Sequence, residues 1–323
     1  MTKNLTIAIP TINRPSLIKN LLYDLDKQIN NLNLLNDIEI VVSDNSENNQ
    51  TELIINDLNR NFNIKINYYK NNSDQRLISQ AHSFDSNVNN LFKNSTSKYV
   101  WVVGDDDFIK EDALNIINKI ILKNRSIFTN IYVDSLKPYT DLSDDIITHD
   151  KSYFCKLTKF RSGHIAANIF NREIWLSSIS QDDYGSGWIH NIYLIKNLGK
   201  NKTYIYRDSL KDEYINFEKY KYDKKYKKVF NNNYYFTAFL NNLELLHSMN
   251  NYDFDNETIL YGFNLQYKNF LLTILSFKHK GVQINKKILK KFLKSTRNLG
   301  FKRYFYVFIL IFFPSWILRL LKN

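Results

Sequence analysis

Three consecutive carboxylates, Asp105, Asp106 and Asp107, follow directly on the apolar run Tyr99 to Val103. Adjacent like charges repel, so such a run persists only where water solvates it or a cation neutralises it. Hard oxygen ligands suit Mg²⁺ or Mn²⁺, and an ion held there would bridge the protein to a diphosphate. A buried strand ending in acids would also place them at the carboxyl edge of a sheet, where α/β folds bind ligands. The competing reading is a solvated loop in which Asp107 or Asp112 caps the next helix.

Two other polar groups follow apolar runs in the same way. Pro10, Thr11, Asn13 and Arg14 come after the first run, and Asp44, Asn45 and Ser46 after the second. Each has a structural alternative: Asn13 and Arg14 can form a turn before a helix, and Asp44 with Ser46 can close an Asx-type turn. Arg76 is either a phosphate partner or surface charge. The chain has 8 glycines and the first is Gly104. Neither a G-x-G-x-x-G fingerprint nor a P-loop therefore exists in the amino-terminal part, which excludes most NAD enzymes and P-loop NTPases.

The elements that must position these residues are legible from periodicity. Short, nearly continuous apolar runs at Leu5 to Ile9, Ile38 to Val42, Ile64 to Tyr69, Tyr99 to Val103 and Ile127 to Val133 predict strands covered on both faces. Helical spacing over Pro15 to Leu35, Thr51 to Asn59 and Glu111 to Leu122 predicts the intervening helices, with Pro15 opening the first. The first 135 or so residues thus read as a doubly wound, mostly parallel α/β unit. Residues 136–215 are more irregular and contain Gly185 to Gly187 before a predicted helix Trp188 to Leu198. From 216 onward Tyr, Phe, Leu and Lys recur at helical spacing. The expected division is a catalytic α/β domain over 1–215 and a helical, basic extension over 216–323.

The segments Ile7 to Pro15, Ile40 to Ser46 and Tyr99 to Asp107 together resemble the inverting family-two glycosyltransferases of GT-A fold. That resemblance implies a Rossmann-like GT-A domain that takes a nucleotide-sugar donor, UDP-linked by expectation. It implies that Pro10, Thr11, Asn13 and Arg14 lie near the nucleotide, Asp44 at the base, Asp105 and Asp106 near the ribose, and Asp107 with Asp105 at the metal; Arg76, as a phosphate partner, would join the nucleotide group. The chain departs from the family at Glu47, Asn48 and Asn49, where an Asp often occurs, and at Asp74-Gln75, where an Asn-Gly pair is usual. The family also places an acidic pair before a late helix as the base that takes the acceptor proton. Here the candidates are Asp183, then Asp182, then His190. His164 falls in a segment that approaches the acceptor in similar enzymes, and Trp188 could stack on a sugar or pack in a core. A nucleotidyltransferase of similar design, or a binding protein that has lost catalysis, are the alternatives.

The charge distribution adds a partner. The net charge is +12, yet residues 1–210 hold 24 basic and 24 acidic residues, against 20 and 8 in the remainder. No Asp or Glu follows Glu257. Near the end, Tyr304 to Leu318 is uncharged and mostly apolar, but shorter than the roughly 20 residues that a spanning helix needs. With the preceding lysines it predicts a membrane-associating segment over 301–321 lying in the bilayer interface. A buried helical hairpin or an oligomer contact is the alternative. Nucleic acid fits poorly, because the aromatic residues form one block instead of alternating with the basic ones. The single cysteine, Cys155, and the absence of a leader-like start give the expectation of a cytoplasmic protein, which the predicted segment would attach to the inner membrane face. For the family it resembles, that location implies a lipid-linked surface glycan as the acceptor.

Overall fold

The structure is a computed structural model that describes residues 3–71, 79–107, 109–124, 126–134, 144–208, 210 and 232–312. Arg76, Asp74, Gln75 and residues 313–321 of the predicted membrane segment lie outside the described residues. The chain forms two compact units, Met1–Gly185 with Ile189–Val229, and Ser186–Trp188 with Phe230–Asn323.

In the first unit the elements run β1 (Leu5–Thr11), α1 (Pro15–Asn31), β2 (Ile38–Asp44), α2 (Gln50–Asn61), β3 (Ile66–Lys70), α3 (Gln80–Asn94), β4 (Tyr99–Val102), α4 (Ala113–Lys123) and β5 (Phe128–Tyr132). They continue through β6 (Ile146–Thr148), α5 (Lys151–Leu157), β7 (Asn168–Asn171), α6 (Arg172–Ser178), α7 (Ile189–Asn197) and β8 (Lys202–Ile205). One eight-stranded sheet results, in the order β3-β2-β1-β4-β7-β5-β8-β6. β1 pairs in parallel with β2 and β4, β2 with β3, and β5 with β8. β7 is antiparallel to both β4 and β5, and β6 is antiparallel to β8.

The central strands are continuous apolar runs because helices cover both faces. α1 opens with Pro15 in its first turn, where a missing N–H costs nothing, and buries Leu17, Ile18, Leu21, Leu22, Leu25 and Ile29. Each such side chain contributes about 1.5–3 kcal/mol relative to exposure. Pro10 lies inside β1, in the middle of the sheet, where a proline is unusual. Its register explains it: β4 pairs with β1 only as far as Ala8↔Val102, so the donor that Pro10 lacks would have faced a side where no strand remains.

The second unit comprises α8 (Asn232–Ser248), α9 (Asn256–Tyr267), α10 (Phe270–His279), α11 (Lys286–Ser295) and α12 (Lys302–Phe312). Its core is aromatic and aliphatic, built on Phe236, Leu240, Leu243, Phe263, Phe270, Ile274 and Phe292. Among the described residues no helix is long and apolar enough to cross a membrane.

Candidate functional site

The carboxyl ends of β1, β2 and β4 meet at one edge of the sheet, and the polar groups that follow them are bonded to one another. Asp105 is buried, with Oδ1 2.8 Å from Arg14 Nη1 and Oδ2 accepting from Thr11 Oγ1 at 2.7 Å. The same Arg14 nitrogen lies 3.0 Å from Asp106 Oδ2, and Asp106 is exposed. Burial pushes the Asp105 carboxyl up to about 6; Arg14 pulls against this shift and neighbouring Asp106 adds to it. Asp107 is half-buried and folds back so that Oδ2 accepts from the Gly104 N–H at 3.1 Å. A Cβ at Gly104 would stand 3.0 Å from that Oδ2 and 3.1 Å from Asp106 Oδ1, so any larger residue there would oblige these carboxylates to shift.

The first two polar loops are stitched together beside this run. Asn13 adopts the left-handed conformation at φ 54°, which asparagine tolerates, and its N–H donates to Ser46 Oγ at 2.6 Å. The Asn45 N–H donates to Thr11 O at 2.9 Å. Asp44 is fully buried: Oδ1 accepts from the Ser46 N–H at 2.7 Å and Oδ2 from Tyr68 Oη at 2.9 Å. The Asx-type turn is therefore present, and both Asp44 oxygens are engaged within the protein.

Behind the turn lies a buried amide network that the sequence did not signal. Asn71 Nδ2 lies 2.9 Å from Ser43 Oγ and 2.7 Å from both Asn45 Oδ1 and Asn87 Oδ1. Asn90 Nδ2 donates to Asn71 Oδ1 at 2.7 Å, and Asn45 Nδ2 donates to Ser83 Oγ at 3.0 Å. The network ties the end of β2 to α3, whose inward face is largely Asn, Ser and Asp.

The three candidate proton acceptors occupy different environments. Asp183 Oδ2 accepts from the Ser180 N–H at 2.9 Å in a capping box, and its two oxygens lie 2.6 and 2.7 Å from Lys196 Nζ. The carboxylate ranked first is thus held by a cap and an ion pair. His190, the second residue of α7, is buried, with Nε2 2.7 Å from Gly163 O. Burial, helped by nearby His164, lowers its pKa to about 4. Its imidazole is turned inward onto Gly163 O, away from solvent, whereas Asp182 faces it.

Asp85 is a further buried acid that periodicity could not flag. Its Oδ2 accepts from the Gly185 N–H at 2.9 Å and its Oδ1 from the Ile189 N–H at 3.2 Å, so it caps α7 and fixes the segment after Asp183. Asn89 bonds Tyr184 Oη and accepts from Trp175 Nε1 at 2.9 Å. His164 is exposed. Trp188 belongs to the second unit, where its Nε1 donates to Ala238 O at 2.7 Å.

A divalent ion would find the hard oxygens it prefers in this carboxylate run. Among the described residues no three His, Cys, Asp or Glu side chains converge as a complete cluster. Mg²⁺ and its relatives need no such cage, since one or two carboxylates plus substrate phosphates and water suffice. Asp105, expected to share the ion, has both oxygens committed to Arg14 and Thr11. Asp107 and exposed Asp106 are the donors that fit.

Comparison with known proteins converges on the same region. The family model described as "Glycosyl transferase family 2" matches residues 6–174, which include all three polar loops. No curated protein sequence matches the chain. Among solved structures, S. aureus TarS 1-349 in complex with UDP-GlcNAc superposes with a TM-score of 0.58 at 13% identity, covering 93% of this chain and 82% of that one. The mannosyltransferase PcManGT from Pyrobaculum calidifontis, in complex with GDP-Man and Mn²⁺, gives a TM-score of 0.54 at 11% identity, with 95% and 81% covered. These likenesses are of fold: a mostly parallel GT-A sheet flanked by helices, with a helical carboxyl-terminal part. The sheet, the three motif loops at its edge and the family match show that the chain belongs to glycosyl transferase family 2.

Proposed function

We propose that this glycosyltransferase moves a sugar from a UDP-linked donor to a hydroxyl of a growing, lipid-linked surface glycan, with inversion, at the cytoplasmic face of the membrane. The observation that carries the reading is the constellation Thr11–Asp105–Arg14–Asp106 at the ends of β1 and β4. It offers a fixed cation and fixed carboxylates where a ribose and a diphosphate would meet the sheet edge. Uridine follows the TarS precedent, and the membrane face follows from the basic excess of residues 211–323 beside the balanced charge of residues 1–210.

In this reading Pro10, Thr11, Asn13, Arg14 and the Asp44 turn form the nucleotide wall, to which Arg76 would add. Asp105 is the buried acid that orients Arg14 and Thr11 toward the ribose. Mn²⁺ or Mg²⁺, held chiefly by Asp107 with the donor's diphosphate, would supply Lewis-acid stabilisation of the leaving charge. The acceptor oxygen attacks the anomeric carbon from the face opposite the diphosphate, the carbon–oxygen bond to the diphosphate breaks, and the hydroxyl proton passes to a carboxylate. Asp182 is that carboxylate, because Asp183 is neutralised by Lys196 and His190 is sealed.

A screen of UDP- and GDP-sugars for Mn²⁺-dependent hydrolysis or transfer tests the reading. Turnover of a UDP-sugar that Asp107→Ala lowers at least about 100-fold is the expected result. Full transfer by Asp107→Ala, or no donor bound with Mn²⁺ present, would overturn it.

A further inference from the structure

α12 turns an apolar ridge to solvent. Phe301, Tyr304, Phe305, Phe308, Ile311 and Phe312 are all exposed, Phe301 at 90%. At 100° per residue the five that belong to α12 fall within an arc of about 120°, with Phe301 immediately before the helix, while Ile309 and Leu310 are buried. A contiguous stripe of four phenylalanines facing water marks an interaction surface.

The neighbouring charges identify what covers it. α11 packs on α12 and is one-sided: Ile288, Phe292 and Ser295 are buried, and Lys286, Lys287 and Lys290 stand on the opposite arc, exposed. Lys294 and Arg297 are each 3.4 Å from Glu244, and Arg303 donates to Leu293 O at 3.3 Å, so these three are spent inside the unit. Lys286, Lys287, Lys290 and Lys302 face no acidic partner among the described residues. A second copy of this chain would set like charge against like. A bilayer with anionic headgroups offers the apolar interior for the ridge and the negative charge for the lysines together.

We infer that α11 and α12 form the membrane-docking face, the α12 ridge entering the headgroup–acyl boundary and the α11 lysines contacting anionic lipid. This names the lipid partner in the reading above and is tested without donor or turnover. The full chain is sedimented with vesicles of phosphatidylcholine alone or mixed with phosphatidylglycerol. Wild type sediments with the mixed vesicles and much less with the neutral ones. Phe305→Ser with Phe308→Ser, and separately Lys286→Glu with Lys290→Glu, each lower the bound fraction about tenfold or more at fixed lipid, with unchanged thermal midpoints.

A positive signal guards against loss through misfolding. Phe308→Cys can be labelled selectively with a fluorophore because Cys155 is buried, and lipid-borne nitroxide should quench it on binding. The inference is overturned if the variants bind as wild type does, if wild type ignores anionic vesicles, or if labelled Phe308→Cys binds without quenching. It is also overturned if sedimentation velocity shows a wild-type dimer that the Phe305/Phe308 variant dissolves. Wild type that transfers sugar to a soluble acceptor yet ignores anionic vesicles would sink the docking face and leave the transferase reading intact.

Discussion

Arg14 and Asp105 form an ion pair at 2.8 Å beneath Asp106, and the same guanidinium nitrogen reaches Asp106 at 3.0 Å. One cation thus holds two of three consecutive carboxylates and lets a buried acid sit beside an exposed one. Removing it leaves Asp105 buried against Asp106 with only Thr11 as partner. Arg14→Ala should weaken donor binding by about 1.5–3 kcal/mol, roughly 10- to 100-fold. Arg14→Lys, which keeps the charge without the planar fork, should recover part of this. Calorimetric titration with UDP-sugar measures both, and equal affinity in all three proteins would exclude Arg14 from the site.

Asp182 and Asp183 are adjacent but differently employed. Asp183→Asn loses the Lys196 pair and weakens the capping box, so it should lower stability by about 1–3 kcal/mol while retaining turnover. Asp182→Asn should leave the melting temperature unchanged and reduce kcat about 100-fold or more, with little change in KM for the donor. The reverse pattern would transfer the base assignment to Asp183.

His190 makes stability depend on pH in a stated direction. Its folded pKa of about 4 lies below the ordinary 6.5, so between these values the unfolded chain binds the proton and the native one does not. Its contribution is complete above pH 6.5 and is lost as pH falls toward 4, amounting to about 3 kcal/mol across that window. His190→Gln can still donate to Gly163 O and should flatten the difference in melting temperature between pH 7 and pH 5. A collapse of kcat in this variant at pH 7, with the fold intact, would restore His190 as the base.

Asn71 joins β2 to α3 through Ser43, Asn45, Asn87 and Asn90. Asn71→Ala leaves several buried polar atoms short of a partner, at a cost of about 1–3 kcal/mol. Because the network backs the Asp44–Ser46 turn, the same variant should raise KM for the donor more than it lowers kcat. An unchanged KM with the expected loss of stability would confine Asn71 to a structural role.

These residues also show where sequence reading succeeds. β1, β2, β4 and α1 were legible because burial on both faces forces continuous apolar runs, and because Pro15 marks a helix start. The motif loops were legible because acids and amides directly after such runs must lie at the sheet edge. α3 was not: its buried face carries Ser83, Asp85, Ser86, Asn87 and Asn89, so no apolar period announces it, and its partners lie in distant segments. β6 and β7 are too short for a pattern, and the antiparallel insertion of β7 between β4 and β5 is a property of pairing alone. Asp182 and Asp183 are indistinguishable neighbours in the chain, whereas the Lys196 contact that separates them joins different elements.

The placement of β7 governs how the protein comes to exist. Its pairing with β4 joins Trp101 to Ile169, while β1, β2, β3 and β4 are contributed by the preceding part of the chain. During synthesis those four strands emerge first, and β4, paired with β1 on one side, is left as a bare apolar edge whose backbone groups on the β7 side are unpaired. Closure of so long a loop is entropically slow, so this interval is when the nascent chain is most open to edge-to-edge aggregation and to chaperones.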